Sequence, residues 1–400
     1  VRVGAWTALW LTMAIQAIAS MAILTLPVMA PAIAQSLRIS ATLIGVYVSL
    51  VYCGAMSTSL IAGHLVSRYG AIRVSQVCLI FCGLGLALSA IPSIAAVSLG
   101  GLFIGFGYGP ITPASSHLLA KTTPDHRVAL IFSIKQTGVP LGGLLAGAIV
   151  PGLVLTIGAQ SALLSVGLAT VLCAFLAQSL RDQLDTDRQV THKLALISLT
   201  APLQMLVKQP DLRRLAAMSF AFSAVQMCLS TYLVIFLNSE FGYSLVTSGL
   251  ALSVAQAGGV LGRIVWGFIA DRWLGHRYML AVLAAMMTVS TASIALLDGS
   301  VLLPLVLTLL AIFGASATGW NGVYLAAVAR LARPGEASIA TGATLFVTYS
   351  GVVLGPMLFG ILASSFGSYR AGFLALSLPT AICCWVLFVW AKSARTGDVA

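Results

Sequence analysis

Charged side chains are scarce in this sequence: they make up 8% of its 400 residues, against about a quarter in a soluble globular domain. That shortage excludes an extensive water-facing surface. Acids are rarer still, 10 against 21 Lys and Arg, for a net charge of +11. In a soluble chain such an excess of base points to nucleic acid. Here the bases sit in short gaps between apolar runs, which excludes nucleic acid as a partner and points to the lipid bilayer instead. The seven cysteines, at 53, 78, 82, 173, 228, 383 and 384, form no CxxC and no Cys/His spacing of a zinc site. They read as small apolar side chains. The glycine-rich stretch from Gly105 to Pro110 has no strand before it, as a phosphate loop would. Neither a metal nor a nucleotide cofactor is implied.

What is abundant is apolar sequence, 59% of the chain, with a mean hydropathy of +1.02. It falls into runs near 4–31, 41–62, 74–91, 96–119, 128–150 and 159–178, then near 213–238, 246–270, 278–297, 301–327, 337–363 and 371–391. Each is long enough to cross a hydrocarbon core, which takes about 20 residues of helix. The reading is an all-α integral membrane protein of twelve transmembrane helices. Residues 1–180 form an N-terminal six-helix bundle, 181–212 a polar central linker with a short surface helix, and 213–400 a C-terminal six-helix bundle. The first run is too long for a cleaved signal and reads as a retained helix.

Basic residues set the orientation. With the N-terminus inside, the cytoplasmic segments hold 17 of the 21 bases, from Arg2 through Arg127, Lys193 and Arg333 to Arg395, and the outer loops hold Arg38 and Arg370. Both termini are therefore expected in the cytoplasm and the protein in the inner (cytoplasmic) membrane, as a monomer.

The loop after the second run reads G-H-L-V-S-R-Y-G-A-I-R from Gly63. The loop after the eighth reads G-F-I-A-D-R-W-L-G-H-R from Gly267, 204 positions later (267 − 63). This is an internal duplication. The small residue lets two helices approach, the acid attracts a helix N-terminus, and the arginines hold the turn at anionic headgroups. These loops resemble the signature of the major facilitator superfamily, through Gly63, Ser67, Arg68, Gly70 and Arg73 and through Gly267, Asp271, Arg272 and Arg277. Ser67 stands where that family usually has Asp, which weakens the charge-based lock there, although a serine can still cap a helix. The resemblance implies two six-helix bundles related by a pseudo-two-fold axis and an alternating-access cycle.

The two bases left over, Lys135 and Arg263, lie inside the fifth and eighth runs, whereas the ten acids fall in loops or at helix ends. A cation in hydrocarbon costs several kcal/mol and usually faces a cavity. Each lies eight residues from the loop charge at its inner end, Arg127 or Asp271, a depth of roughly 12 Å at ~1.5 Å per residue. A bound anion would compensate them; snorkelling to headgroups or a contact with helix-end carbonyls is the alternative. Arg263 opens R-I-V-W-G-F-I-A-D, which is similar to an eighth-span pattern of monocarboxylate and oxalate/formate carriers whose arginine binds the substrate carboxylate. Gly259 stands where the animal monocarboxylate carriers have an Asp proton relay, so their coupling scheme does not carry over. Tyr108 and Thr112 in the fourth run, Gln136 in the fifth, Gln256 in the eighth, and Trp320, Asn321 and Tyr324 in the tenth could complete a pocket; plain helix packing is the alternative for each.

A transporter of a small organic anion, most plausibly a carboxylate, accounts for these features. The glycine-proline run after Lys135 also resembles a pattern of drug antiporters, which leaves an exporter of hydrophobic or drug-like compounds by proton antiport as a second reading. A non-transporting receptor or sensor is a third. An enzyme is excluded by the lack of any convergent nucleophile, acid pair or metal set.

Overall fold

Apolar side chains dictate where the chain crosses the membrane, and the need to pair every backbone N–H and C=O within the segment dictates that it crosses as helix. The computed structural model describes residues 4–123, 128–188, 204, 206–331 and 337–397. Arg2, Asp125, Arg127, Lys193, Arg333, Glu336 and Asp398 lie outside the described residues, as does most of the central linker with the surface helix expected there. Among the described residues the regular elements are helices, and twelve spans are long and apolar enough to cross a bilayer.

In the first half these are α1 (Ala5–Val28), followed by the short α2 (Ala30–Leu37), α3 (Ile44–Tyr69), α4 (Ala71–Ser89), α5 (Ile94–Tyr108) with α6 (Ile111–Thr122), α7 (Val128–Gln136) with α8 (Gly138–Ile157), and α9 (Ala159–Leu184). In the second half they are α10 (Pro210–Glu240), α11 (Leu245–Ile269), α12 (His276–Leu296), α13 (Leu303–Gly319) with α14 (Asn321–Leu331), α15 (Ala337–Phe366) and α16 (Tyr369–Gly397).

The fourth, fifth and tenth spans differ from the uninterrupted helices expected, because each is broken. Pro110 has no N–H to donate and crowds the preceding turn, so the fourth span stops at Tyr108 and restarts at Ile111. The tenth stops at Gly319 and restarts at Asn321, with Trp320 between. The two restarts stand 210 positions apart (321 − 111), which places the breaks at matching points of the duplication.

The chain divides into two compact units, residues 1–197 with 244–253, and residues 198–243 with 254–400. In the first, α1 packs on α8, and α4 on both α5 and α9; in the second, α10 packs on α15, and α12 on α16. The same pairs of spans therefore pack in each unit. Gly142 of α8 lies so close to the Ala17 carbonyl and Ser20 that any side chain would collide, and Gly351 of α15 lies equally close to the Phe220 carbonyl and Ser223. Large apolar side chains such as Phe175, Leu176, Leu378 and Trp385 point outward and are exposed, the reverse of a soluble fold and what hydrocarbon requires.

Candidate functional site

Broken spans expose backbone and side-chain polar groups at mid-depth, and polar residues collect there. In the first unit, Thr112 sits in the opening turn of α6 and its Oγ1 donates to Gln16 Oε1 of α1 at 3.0 Å. Gln16 is fully buried, and its Nε2 finds no hydrogen-bond acceptor among the described residues. Tyr108, at the end of α5, meets Tyr52 edge to face with ring centroids 6.1 Å apart. Lys135 lies in the last turn of α7 and is 1% exposed. Gln136 beside it is half-buried. Three residues beyond Lys135, Gly138 opens α8 directly against the Gln16 side chain. Thr137, in the gap between α7 and α8, donates to the Ile134 carbonyl at 2.6 Å and lies 3.8 Å from Met13 Sδ of α1.

The second unit builds a related cluster around Gln226 of α10. Its Oε1 accepts from Trp320 Nε1 at 3.0 Å and from Asn321 Nδ2 at 3.3 Å. The Trp320 ring meets Phe222 and Tyr324 with centroids 5.6 and 5.1 Å away. Tyr324 is buried beside Ser219, whose hydroxyl accepts from Thr348 Oγ1 at 2.8 Å. Arg263 is buried too, and its Nε donates to the Thr318 carbonyl at 2.9 Å, in the last turn of α13. The helix-end contact considered for this arginine is therefore present and orients the guanidinium at the break. Gln256 is held separately, its Nε2 donating to Ser230 Oγ at 3.1 Å.

Sequence reasoning missed both glutamines. An amide in the middle of an apolar run was the signal, and it was available at Gln16 and Gln226. Their weight comes from position: Gln16 and Gln226 stand 210 apart (226 − 16), and their partners Thr112 and Asn321 stand 209 apart (321 − 112). The restarts of the fourth and tenth spans are thus each clamped by an amide from the first helix of their unit.

The signature loops make the same turn twice. Gly70, between α3 and α4, has φ 98° and ψ 153°, and Gly275, before α12, has φ 74° and ψ 156°, a region that side chains other than glycine's scarcely enter. Gly63, Ser67 and Arg68 lie on the last turns of α3, and Ser67 does not cap the helix that follows. Asp185 does so instead: its carboxylate accepts from the backbone N–H of Ile72 at 2.8 Å and of Arg73 at 3.0 Å. The acid missing at Ser67 is supplied by the end of α9, and it neutralises the positive end of α4. Arg73 also pairs with Asp182 at 3.3 Å.

In the second copy Gly267 lies in the last turn of α11, and Asp271 and Arg272 lie in a single π-helical turn, 270–274. Asp271 lies 3.4 Å from both His276 and Arg330. Arg277 stacks over Trp390 at 4.1 Å and reaches Asp211 at 3.8 Å. Next to the first loop, Asp187 accepts from Lys121 and His117 at 2.8 Å each. Partial burial pulls its carboxyl upward, but the bonds from Lys121 and His117 outweigh that and hold it below its ordinary value.

Comparison with known proteins agrees with this architecture. The sequence profile described as Major Facilitator Superfamily matches residues 9–356. The benzoate transport protein of Acinetobacter baylyi is 24% identical over 368 residues, covering 84% of this chain and 78% of that protein. The hexuronate transporter of Bacillus subtilis is 22% identical over 365 residues, 87% of this chain and 86% of that one. Among solved structures, the nucleoside transporter NupG superposes with a TM-score of 0.77 at 16% identity, over 95% of this chain and 99% of its own, which bears on the fold alone. Twelve apolar spans, a turn made twice at the duplicated loops and a profile match over most of the length converge: the chain belongs to the Major Facilitator Superfamily and is a multi-pass membrane transporter of small molecules, not an enzyme.

Proposed function

We propose that this transporter carries a small organic anion, a carboxylate, by alternating access, as a monomer in the inner membrane with both termini cytoplasmic. The observation that carries the reading is the burial of Lys135 in the first unit and Arg263 in the second, within spans whose interiors contain no acid in their sequence. Holding a cation in hydrocarbon costs several kcal/mol, and a bound carboxylate supplies the negative charge that the spans lack. Arg263 suits this role because its guanidinium is oriented by the Thr318 carbonyl and can present a planar fork to a carboxylate. In this reading Tyr108, Thr112 and Gln136 of the first unit and Gln256, Trp320, Asn321 and Tyr324 of the second are substrate-binding, with Gln16 and Gln226 added to them. The signature-loop residues Gly63, Ser67, Arg68, Gly70, Arg73, Gly267, Asp271, Arg272 and Arg277 serve gating. The two named relatives transport benzoate and hexuronates, both carboxylates.

A ligand that binds the folded state raises its melting temperature. The test is thermal melting of the detergent-purified protein with benzoate, glucuronate, inorganic phosphate and tetraethylammonium, repeated with Arg263→Gln and Lys135→Gln. Stabilisation of wild type by a carboxylate, lost in both variants, is the expected result. Equal stabilisation of all three proteins by the cation would make both charges structural and favour the exporter of drug-like compounds.

A further inference from the structure

The first unit carries a groove of about 630 Å³, lined by none of the proposed substrate-binding residues and walled by α3, α4 and the break of the fourth span. Leu65, Val77, Phe81, Phe106 and Pro110 line it, while Tyr69 and Arg73 stand at its mouth, beside the Gly70 turn. From Arg73 to Phe81 is eight residues of α4, so the groove runs roughly 12 Å inward from the loop. Val77 and Tyr69 on its rim are 53% and 45% exposed. Its walls are hydrocarbon and its mouth is cationic.

Charge at the mouth is out of balance. Arg73 and Arg181 share one carboxylate, Asp182, each at 3.3 Å, and that carboxylate is itself 76% exposed. The other nearby acid, Asp185, is committed to the N-terminus of α4. Arg68 lies over the Tyr69 ring at 5.4 Å, and its buried Nε has no hydrogen-bond acceptor among the described residues. One guanidinium, Arg73, thus stands at the mouth of an apolar groove at the end of the spans, with Arg181 on the far side of the shared Asp182 and Arg68 over the ring of Tyr69.

We propose that this groove is a lipid site, holding one acyl chain of an anionic phospholipid whose phosphate is met by Arg73 and the Tyr69 hydroxyl. A phosphate with an uncharged head supplies the negative charge the mouth lacks. A choline head would bring a further cation to a cationic place, so the site discriminates by headgroup charge as well as by the chain. The inner end of the chain lies against Pro110, at the break that also places Thr112 on Gln16, so the lipid abuts the substrate span without contacting the solute.

Native mass spectrometry and thermal melting of the full-length protein in detergent test this with dioleoylphosphatidylglycerol, dioleoylphosphatidylcholine and glycerol phosphate. The expected result is one tightly retained phosphatidylglycerol that raises the melting temperature, with no such effect from phosphatidylcholine or glycerol phosphate. Removing one cation with Arg73→Gln is expected to weaken retention about fivefold, the factor equivalent to about 1 kcal/mol per basic residue at a membrane surface. Filling the groove with Val77→Trp is expected to abolish retention, and Leu65→Trp is a second plug should the first fail to fold. Equal retention of both phospholipids, retention undiminished by a folded plug variant, or a matching shift with glycerol phosphate would each overturn the proposal.

Discussion

Thr112 donates a hydrogen bond to Gln16 at 3.0 Å, and 209 positions further along Asn321 makes the corresponding bond to Gln226 at 3.3 Å. The two clamps are alike in place and unlike in chemistry. Gln226 Oε1 takes two donors, one of them the Trp320 indole, whereas Gln16 Oε1 takes one. Gln226→Leu is therefore expected to cost about 1–3 kcal/mol, because it strands a buried indole N–H. Gln16→Leu should cost less, since a threonine hydroxyl can turn back to a carbonyl of its own helix. Melting of the two variants in one detergent measures the difference, and equal losses would refute the asymmetry.

Lysine in place of Arg263 keeps the charge but not the planar fork that the Thr318 carbonyl orients. Arg263→Lys is expected to lower carboxylate uptake into proteoliposomes severalfold while leaving the melting temperature nearer to wild type than Arg263→Gln does. Uptake equal to wild type would show that only the charge matters.

The two signature turns are expected to respond differently to a methyl group. Gly70→Ala and Gly275→Ala both force alanine into a glycine-only region, at roughly 1–3 kcal/mol. At Gly70 the added carbon also strikes Asp185, whereas at Gly275 nothing lies within 4 Å. The Gly70 variant should be the less stable of the two. The Asp185→Ala variant should lose about 1–2 kcal/mol through its cap.

Acid should weaken the cluster at the C-terminal end of the fourth span. The Asp187 carboxyl is held below its ordinary value of 3.8 in the folded protein. Its contribution to stability is therefore fully present above that value and is lost as pH falls through the lower folded value. The difference in melting temperature between wild type and Asp187→Asn should shrink as pH falls below about 4. A difference that grows on acidification would contradict the direction of the shift.

Membrane character, twelve spans, the duplication and the family were legible without coordinates. Each rests on a periodic or compositional signal: runs of about 20 apolar residues, a shortage of charge, and a loop pattern occurring twice. Lys135 and Arg263 were legible for the same reason, since a charge in an apolar run stands out by itself. Gln16 and Gln226 were not singled out, because one amide in an apolar helix is ambiguous until its partner is known, and Thr112 and Asn321 lie about 95 residues away on other helices.

The sequence by itself determined which segments enter the membrane, because transfer to hydrocarbon is a local sum over the residues of one helix. Only the tertiary structure decided how polar groups are satisfied once inside. It set an amide from another helix at the restart of the fourth and of the tenth span. It brought Asp185 from the end of α9 to the N-terminus of α4, where the loop pattern has a serine in place of an acid. Hydrogen bonds and ion pairs between helices depend on distances that chain order does not encode, whereas hydrophobicity is read residue by residue.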